Sequence, residues 1–481
     1  MATRLTDAPQ LWGLEAALSE PRFAGVPLGS TLGDIYINDL FLGKSESGLR
    51  VWLAERVQEE FHLRRPIREL RGPRRQLGKE AEGRFLLTLQ RDEPRYTGLV
   101  YPVIEALGGE NCALISRPPQ KPSGLPGAVV YLSWGDLPRL NFAAWRREFS
   151  RVRQGLNAAL AGWARQVNLS RSRLVRLRHT LAVQAQRVWA CGEFLRELKP
   201  RAVLAEYDRN FRSSCLVLAA NRLGIPTATQ VHGAVNPPYG YTPVLADVVY
   251  CWGDKQRESL TRMGAPPEKL MITGCPRLSR VIEAARTDAR RKVGIGEQSL
   301  VALLATNPIG RDDKLRLAEE FCRGVGADAR FTPVLRLHPS ETVDEYAPSL
   351  RAKYPGVIIT ASRQWSLDES LAASDVVVVR DSGFGNDALI KGKPVVVFNP
   401  PGSGGELANG RQLAEEGGCP LVTEASALAG ELERIIYLND YRRAIEGRRE
   451  GFVLDYCRAF GADAARAIAG DLGQRAGRTA P

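Results

Sequence analysis

The sequence predicts an α/β protein with two domains, each built on a doubly wound parallel sheet. From about residue 84 onward, short apolar runs alternate with helical patterns and are separated by short turns, which is typical of strand–helix–strand units. The chain of 481 residues is longer than one hydrophobic core usually serves. With 44% hydrophobic and 25% charged residues, it has the composition of an ordinary globular protein.

The first domain is predicted to span residues 84–278. Apolar runs predict strands at residues 85–88, 112–116, 128–132, 202–205, 226–231, 246–253 and 270–273. A long helical insertion is expected at about residues 142–198, with a break near Asn168-Leu169-Ser170. Residues 1–83 alternate poorly and are rich in arginine, so they are predicted to form a basic N-terminal appendage.

The second domain is predicted to span residues 279–440, beginning with a charged helical connector at residues 279–292. Its strands are expected at residues 300–305, 333–337, 357–360, 376–379, 395–398 and 421–422. Residues 441–481 are expected to form closing C-terminal helices.

The net charge of +12 calls for an anionic partner or another physical reason. Arginines cluster at residues 64–75 and 146–178 without the interleaved aromatic residues of a single-strand binder, so nucleic acid is an unfavoured partner. A phosphorylated substrate or an anionic membrane surface fits as well. The segment 149–178, which includes Trp163, Leu174 and Leu177, has two interpretations, an amphipathic helix on a bilayer or a solvated helix face.

The N-terminal residues carry charges throughout, and no apolar run approaches the ~20 residues of a membrane span. We therefore expect a cytoplasmic protein, with peripheral attachment to the inner face of the membrane as an open alternative. The eight cysteines are scattered, form no CxxC pair and mostly lie in apolar segments. They are expected to be reduced and buried.

The segment 371–400 is the most informative of the chain, because it reads as strand, glycine turn, short helix and strand. Ser382, Gly383 and Gly385 lie where the chain turns sharply into the helix, and free amides at a helix start favour a phosphate. Asp387 follows at a position suited to a ribose hydroxyl. An ordinary turn of an α/β unit remains the alternative interpretation.

Two of the four histidines directly follow predicted strands, His232 in the first domain and His338 in the second. Ligands of open α/β sheets bind outside the carboxyl ends of the strands, so both rings are expected at ligand-binding edges. One could accept a proton from a hydroxyl while the other contacts a phosphate or polarises a leaving group.

Three segments together resemble a known superfamily. They are residues 224–279, the motif LRLHPSE at residues 335–341 and DSGFGNDALIKGKP at residues 381–394. They look like the GT-B glycosyltransferases, and are similar to bacterial surface-polysaccharide enzymes that include CDP-glycerol glycerophosphotransferases and HP-motif transferases that use CMP-activated sugars. The resemblance covers about residues 203–438. It implies two Rossmann-like domains facing a cleft, with the nucleotide held mainly by the second and the acceptor mainly by the first.

The resemblance also implies roles for individual residues. Nucleotide or donor contacts fall on His338, Pro339, Thr306, Asn307, Ser382, Gly383, Gly385 and Asp387, although glutamate is commoner at the last position. His232 matches a base or a phosphate contact. An acidic-acidic-glycine motif of the kind found in bacterial sialyltransferases is missing, so the base stays open between His232, Glu206 and Asp208.

Asp92 and Glu93 follow the first predicted strand and are candidate acceptor ligands, with a loop ion pair between Arg91 and Asp92 as the alternative. No metal or resident cofactor is expected, because the sequence lacks a His/Cys cluster and a strand-end DxD motif. The expected partners are a CMP-, CDP- or UDP-activated donor and a glycan or lipid-linked acceptor.

The expected function is transfer of a sugar or polyol phosphate from the nucleotide donor to an acceptor hydroxyl in surface-polysaccharide or capsule synthesis. Two alternatives stay open. One is an enzyme like UDP-N-acetylglucosamine 2-epimerase, which shares the GT-B fold and needs no acceptor. The other is a non-catalytic protein that binds nucleic acid or a membrane.

Overall fold

The chain divides into two compact units, and the computed structural model describes residues 8–20, 22–32, 49–71, 79–117, 121–233, 235, 241–405 and 407–478. The first unit comprises Met1–Arg277 together with Arg458–Pro481, and the second comprises Leu278–Cys457. Parts of the predicted appendage, and of residues 224–279 that carry the family resemblance, lie outside the described residues.

The first unit contains a small hairpin and a seven-stranded parallel sheet. The hairpin pairs β1 (Arg22–Phe23) with β2 (Val26–Pro27). The sheet has the order β5-β4-β3-β6-β7-β8-β9. Its strands are β3 (Phe85–Leu89), β4 (Cys112–Ser116), β5 (Val130–Ser133), β6 (Ala202–Ala205), β7 (Thr227–Gln230), β8 (Val248–Cys251) and β9 (Leu270–Ile272). The strand order therefore reverses between β3 and β6, which is the place where ligands of such sheets bind.

The long helical region of the first unit breaks where the sequence predicted. One helix ends at Gln166 and the next begins at Arg171, after Asn168 adopts a φ of +52° and Ser170 caps the second helix through Oγ. The described helices of this unit are Ala8–Ala17, Leu49–Arg64, Pro94–Leu107, Phe142–Gln166, Arg171–Leu198, Ser213–Arg222, Asp254–Arg262 and Gly461–Arg478.

The described part of residues 1–83 packs into the core of the first unit, which differs from the predicted appendage. Leu14, Leu18 and Phe23 are buried in the same cluster as the long helices. The side-chain amide of Gln186 ties residues 62–67 to the Arg171–Leu198 helix, because its Oε1 accepts from the Ile67 amide at 2.7 Å.

The apolar residues of segment 149–178 also face this core. Trp163, Val175 and Leu177 are at most 5% exposed, and Leu174 packs against the same cluster. The bilayer-facing helix considered from the sequence is therefore wrong for these side chains, since protein already covers them. Among the described residues, no helix combines the length and apolar character needed to cross a membrane. All eight cysteines are buried thiols.

The second unit holds a six-stranded parallel sheet with the order β12-β11-β10-β13-β14-β15. Its strands are β10 (Leu300–Ala305), β11 (Phe331–Arg336), β12 (Ile358–Thr360), β13 (Val376–Val379), β14 (Val395–Phe398) and β15 (Leu421–Val422). All four residues of β13 and of β14 are buried, as continuous apolar runs predict for central parallel strands. Here the strand order reverses between β10 and β13.

The described helices of the second unit are Arg286–Lys292, Arg311–Val325, Ala347–Lys353, Leu367–Ala373, Phe384–Ile390, Asn409–Glu415, Ala425–Tyr437 and Asn439–Tyr456. The predicted connector helix at residues 279–292 begins only at Arg286. The residues before it are held differently, because the Glu283 amide donates to Asp368 at 2.9 Å.

The C-terminal helices are divided between the two units, which the sequence did not predict. Asn439–Tyr456 belongs to the second unit. Gly461–Arg478 belongs to the first, where Ala465, Ile468 and Leu472 pack in the cluster that contains β3 and β4. The main segment of the first unit ends at Arg277, and the second unit begins at Leu278.

Candidate functional site

The reversal point of the second sheet collects most of the residues that the sequence singled out for the nucleotide. Thr306 and Asn307 directly follow β10, and Ser382 and Gly383 lie in the turn after β13. β10 and β13 are hydrogen-bonded neighbours, so both turns lie at the same carboxyl edge. His338 follows β11, the other neighbour of β10.

A buried hydrogen-bonded network fixes the loop after β11 to the end of β10. The His338 amide donates to Thr306 Oγ1 at 2.9 Å and to Glu341 Oε2 at 3.1 Å. Thr306 Oγ1 itself donates to the same Glu341 oxygen. The hydroxyl of Tyr346 donates to Glu341 Oε1 at 2.8 Å, and Lys314 lies 3.7 Å from that oxygen. Glu341 therefore positions this loop rather than facing solvent.

The ring of His338 is oriented by its own loop. Its Nδ1 accepts from the Ser340 amide at 3.2 Å and lies 2.8 Å from Ser340 Oγ. Because a backbone amide can only donate, the neutral ring carries its proton on Nε2. Pro339 is exposed beside it. This tautomer makes Nε2–H a hydrogen-bond donor, which is what a phosphate or a carbonyl oxygen requires.

The turn after β13 differs in detail from the expected phosphate turn. Gly383 has helical backbone angles, with φ −60°, and Gly385 also lacks a positive φ. The amides of Gly385 and Asn386 are used inside the turn, by Ser382 and Gly383 carbonyls. The expectation of a row of free amides is therefore wrong for these two residues. The amides of Ser382 and Gly383 are not used within the turn.

The two glycines of this turn serve different purposes. A Cβ at Gly383 would meet no atom within 4 Å, so open space lies beside its backbone. A Cβ at Gly385 would lie 2.7 Å from Leu413 Cδ1 and 3.1 Å from Val379 Cγ2. A side chain at Gly385 would therefore press on Leu413 and Val379, whereas Gly383 leaves the turn approachable.

Two amide side chains near this edge have an oxygen without a partner in the described part of the chain. Asn386 Nδ2 donates to Asn409 Oδ1 at 3.0 Å, and Asn409 Nδ2 donates to the Ser382 carbonyl at 3.1 Å. Among the described residues, neither Asn307 Oδ1 nor Asn386 Oδ1 accepts a hydrogen bond, although both atoms are buried. Buried polar atoms are rarely left unsatisfied, so ligand or water donors are expected here.

Asp387, the predicted ribose ligand, lies in the electrostatic field of Arg336. Burial lowers the pKa of Arg336 to about 10, and the negative charge of Asp387 opposes that shift. The guanidinium lies 4.9 Å from the centre of the Phe384 ring, and its Nε donates to Ser370 Oγ at 2.9 Å. The structure thus places Arg336 at the carboxyl end of β11, near the candidate nucleotide residues.

The reversal point of the first sheet is occupied by a buried carboxyl group. Glu206 directly follows β6 and is 1% exposed. Its Oε1 accepts from the Gln90 amide, which follows β3, at 2.6 Å. Its Oε2 is buried without a partner among the described residues. Burial raises the pKa of Glu206 to about 8, opposed by the Gln90 hydrogen bond and the charge of Arg91.

The other acidic candidates of this unit have structural partners. Asp208 Oδ2 accepts from the amides of Leu245 and Ala246, at 3.0 and 3.1 Å. Asp92 Oδ2 accepts from the amide and the hydroxyl of Ser123. The sequence suggested an ion pair between Arg91 and Asp92. In the structure Arg91 pairs with Glu93 instead, with 3.8 Å between Nη1 and Oε1. None of these contacts tests an acceptor role for Asp92 and Glu93.

His232 lies among three tyrosines. The ring centres of Tyr207, Tyr241 and Tyr96 are 4.8, 5.2 and 6.0 Å from that of His232. The Arg95 guanidinium holds the strand end, because its Nε donates to the His232 carbonyl at 3.1 Å. Burial, together with the nearby charge of Arg95, lowers the pKa of His232 to about 4. The imidazole is therefore neutral at physiological pH.

Among the residues that the structure describes, no group of three or more His, Cys, Asp or Glu side chains is arranged to hold a metal ion. The expectation that no metal and no cofactor is needed is not tested by this arrangement.

Comparison with known proteins gives a likeness in structure only. No family model matches the sequence, and no curated protein matches it. A glycosyltransferase from Rickettsia africae ESF-5 is 13% identical over 82% of this chain and 98% of its own, with a TM-score of 0.54. A UDP-N-acetylglucosamine 2-epimerase is 14% identical over 83% of this chain and 98% of its own, with a TM-score of 0.51. The Anabaena protein HepE in complex with UDP is 13% identical over 81% of this chain and 100% of its own, with a TM-score of 0.50.

The fold is of the GT-B type. Its two parallel-sheet α/β units were expected from the sequence, and the seven- and six-stranded sheets confirm them. At these identities the likeness carries the fold and not the activity. The GT-B neighbours include both a transferase and an epimerase, so the activity has to be argued from the residues of each unit.

The sequence missed Glu341, Tyr346 and Arg336 as parts of the second-unit site. Glu341 was within reach, because it is the last residue of the LRLHPSE motif. The tyrosines around His232 were also missed, since Tyr96, Tyr207 and Tyr241 lie on three separate segments that only the folded unit brings together.

Proposed function

We propose that this protein is an enzyme that acts on a nucleotide-activated sugar, whose phosphates bind at the reversal point of the second sheet. The observation that supports this most is that three strand-end residues, Thr306, His338 and Ser382, lie at that edge. Thr306 holds the His338 loop at the end of β10, His338 presents an Nε2–H donor, and Ser382 lies in the turn after neighbouring β13. Reversal points of open α/β sheets are the usual nucleotide sites.

Each group there has a chemical use toward a nucleoside diphosphate. The Nε2–H of His338, the hydroxyl of Ser382 and the amides of Ser382 and Gly383 can donate to phosphate oxygens. The open space beside Gly383 allows an oxygen to approach the backbone. Asp387 is proposed as the ribose ligand and Arg336 as its neighbouring cation. One structural neighbour is named for a UDP-linked sugar and another is in complex with UDP, which favours a diphosphate.

For the reaction we propose glycosyl transfer, with the acceptor held by the first unit. The bond between the anomeric carbon and the leaving phosphate oxygen breaks, and the acceptor oxygen bonds to that carbon. The acceptor proton passes to a base of the protein, and the nucleotide leaves as an anion. Helix-start amides and neutral donors would stabilise the leaving charge without a metal. Transfer of a polyol phosphate would use the same groups.

Among the three base candidates, the contacts favour Glu206. One oxygen of Asp208 is committed to two backbone amides, and His232, with a pKa of about 4, is a weak base. Glu206 has a buried oxygen without a partner among the described residues and a pKa of about 8. A base is most effective when its pKa lies near the working pH. His232 and its tyrosines would then contribute a surface for the acceptor.

The 2-epimerase activity is the second candidate, because an enzyme of that activity has the same fold over 98% of its length. It would use the same nucleotide site and would need no acceptor. A glycan or lipid-linked acceptor, a role in surface-polysaccharide synthesis and contact with an anionic membrane belong to the transferase proposal.

A panel of activated sugars separates these proposals. CMP-, CDP-, UDP-, GDP- and dTDP-sugars should include one that raises the melting temperature and is slowly hydrolysed in the absence of acceptor. A transferase releases free nucleotide from that donor, whereas an epimerase yields a product in which the sugar stereocentre is inverted while the nucleotide stays attached. Proton NMR of the reaction mixture distinguishes the two. If no activated sugar shifts the melting temperature, the proposed function is wrong.

A further inference from the structure

A pocket of about 370 Å³ lies in the first unit between the β1–β2 hairpin and the helices Arg171–Leu198 and Ser213–Arg222. It is separate from the strand-end loops that carry the candidate nucleotide and acceptor residues, because none of its lining residues belongs to them. Its volume is in the range of pockets that hold small ligands.

The walls of this pocket are mainly apolar. They include Val26 from the hairpin, Val188 and Trp189 from the long helix, and Leu223 from the end of the following helix. The indole of Trp189 lies 6.1 Å from the ring of Phe23, centre to centre, so part of the wall is continuous with the core. Such walls favour a hydrocarbon chain over a polar ligand.

The lining also contains charged side chains, and more of them are positive than negative. Arg196 is paired with Glu193 on its own helix at 2.5 Å. Arg222 has no carboxylate within ion-pair distance among the described residues, and its side chain is exposed. Gly25, with a φ of +78°, is required where Arg222 crosses the hairpin, because a Cβ there would lie 2.6 Å from Arg222 Cδ. The excess charge beside the pocket is therefore positive.

We propose that this pocket binds an anionic amphiphile, with a single alkyl chain between the apolar walls and a phosphate or carboxylate head at Arg222. The apolar walls account for the chain, and Arg222, which has no carboxylate partner in the described part of the chain, accounts for the sign of the head group. A lipid-derived alkyl phosphate and a free fatty acid share this chemistry. The site does not depend on the proposed activity, since its residues are distinct from those of the nucleotide and the base.

Isothermal titration with short amphiphiles below their micelle-forming concentrations tests the site. Decyl phosphate and decanoate should bind with one-to-one stoichiometry, more tightly than decanol and much more tightly than decyltrimethylammonium. Whichever anion binds more tightly identifies the head group as phosphate-like or carboxylate-like. Arg222→Gln should lower the affinity for decyl phosphate by roughly fivefold or less, as expected for an exposed ion pair. The affinity for decanol should stay unchanged.

Gly192→Leu fills the pocket, because a Cβ at Gly192 has only one neighbouring atom, at 3.8 Å, and leucine favours the helix it lies on. Gly192→Leu should lower the affinity for all of these amphiphiles by about tenfold or more. Gly162→Leu is the matched control, since that glycine lies in the Phe142–Gln166 helix with open space beside it and does not line the pocket. Unchanged binding by Gly192→Leu, or equal binding of the cationic and anionic chains, overturns the proposal.

Discussion

The backbone amide of His338 donates a 2.9 Å hydrogen bond to Oγ1 of Thr306, and this bond fastens the loop after β11 to the end of β10. Glu341 closes the arrangement by accepting from both groups. The proposed phosphate donor is thus held by a buried threonine on the neighbouring strand. A ligand at His338 should consequently be sensitive to a change at Thr306.

Thr306→Val should lower both stability and nucleotide affinity. The substitution keeps the shape but removes a buried hydroxyl, so one acceptor of the His338 amide and one donor to Glu341 are lost. We expect a loss of about 1–3 kcal/mol in the free energy of unfolding in urea. Thr306→Ser, which keeps the hydroxyl, is the control. If the valine and serine variants bind the nucleotide equally well, Thr306 does not position His338.

Gly383→Ala and Gly385→Ala should affect different properties, nucleotide affinity in the first and stability in the second. At Gly385 the new methyl group meets Leu413 and Val379, so we expect a destabilisation of about 1–3 kcal/mol. At Gly383 it enters open space, so stability should change by less than about 0.5 kcal/mol while nucleotide affinity falls. Urea unfolding and nucleotide titration of both variants measure this. Undiminished nucleotide affinity in Gly383→Ala would place the phosphate elsewhere.

Glu206 should make stability fall as the pH rises. Its folded pKa of about 8 exceeds its unfolded value, so the folded state holds a proton that the unfolded state releases. The resulting stability is fully present below the unfolded pKa, near 4.5, and is lost as the pH rises through about 8. The total loss should be a few kcal/mol, because each tenfold difference in proton affinity between the folded and unfolded states corresponds to about 1.4 kcal/mol.

Glu206→Gln should flatten this dependence when unfolding free energies are measured across that range. Glu93→Gln, which alters an exposed carboxylate in the same unit, should leave it unchanged. If Glu206 is also the base, wild-type turnover should rise as the pH approaches about 8, and Glu206→Gln should lose it. A glutamine variant with full transferase activity would exclude Glu206 as the base.

His232 should stay neutral throughout the physiological range. Its pKa of about 4 lies below the value of a free imidazole, because of burial and then of Arg95. A lowered histidine pKa costs stability only as the pH falls below about 6.5, where the unfolded ring takes up a proton first. Proton NMR of the ring should show no change in the His232 resonances above about pH 5.5. Arg95→Gln should raise the pH midpoint of the His232 titration, and Arg91→Gln should not. A midpoint near pH 6.5 in the wild type would contradict this prediction.

Six strands of the two parallel sheets were predictable from the sequence because each is a short, fully buried and mainly apolar run bounded by turn residues. They are β3, β4, β6, β8, β13 and β14. β13 and β14 are examples, in which the pattern alone located the elements and their place in a parallel sheet. The strand-end positions of His232, His338, Thr306 and Ser382 followed from the same reasoning. Local sequence determines these features, so no long-range information was needed.

Other features depend on partners that are distant in sequence. The Gly461–Arg478 helix returns to the first unit because Ile468 and Leu472 complete a cluster formed by β3 and β4. Leu14 and Leu18 join a core built by helices more than a hundred residues away, which weak alternation near the N-terminus could not indicate. The buried carboxyl of Glu206 becomes informative only when Gln90, which follows β3, is placed beside it.

Titration of the wild type and of His338→Ala with UDP, CDP, CMP, GDP and dTDP tests whether a nucleotide binds at the reversal point of the second sheet. We expect one of these nucleotides to bind the wild type. His338→Ala loses a hydrogen bond to a charged phosphate, so its affinity for that nucleotide should be roughly tenfold to a hundredfold lower. Lys353→Ala, which removes an exposed cation of the same unit, should bind like the wild type. Equal affinity of the wild type and His338→Ala, or no binding of any nucleotide, would contradict the account.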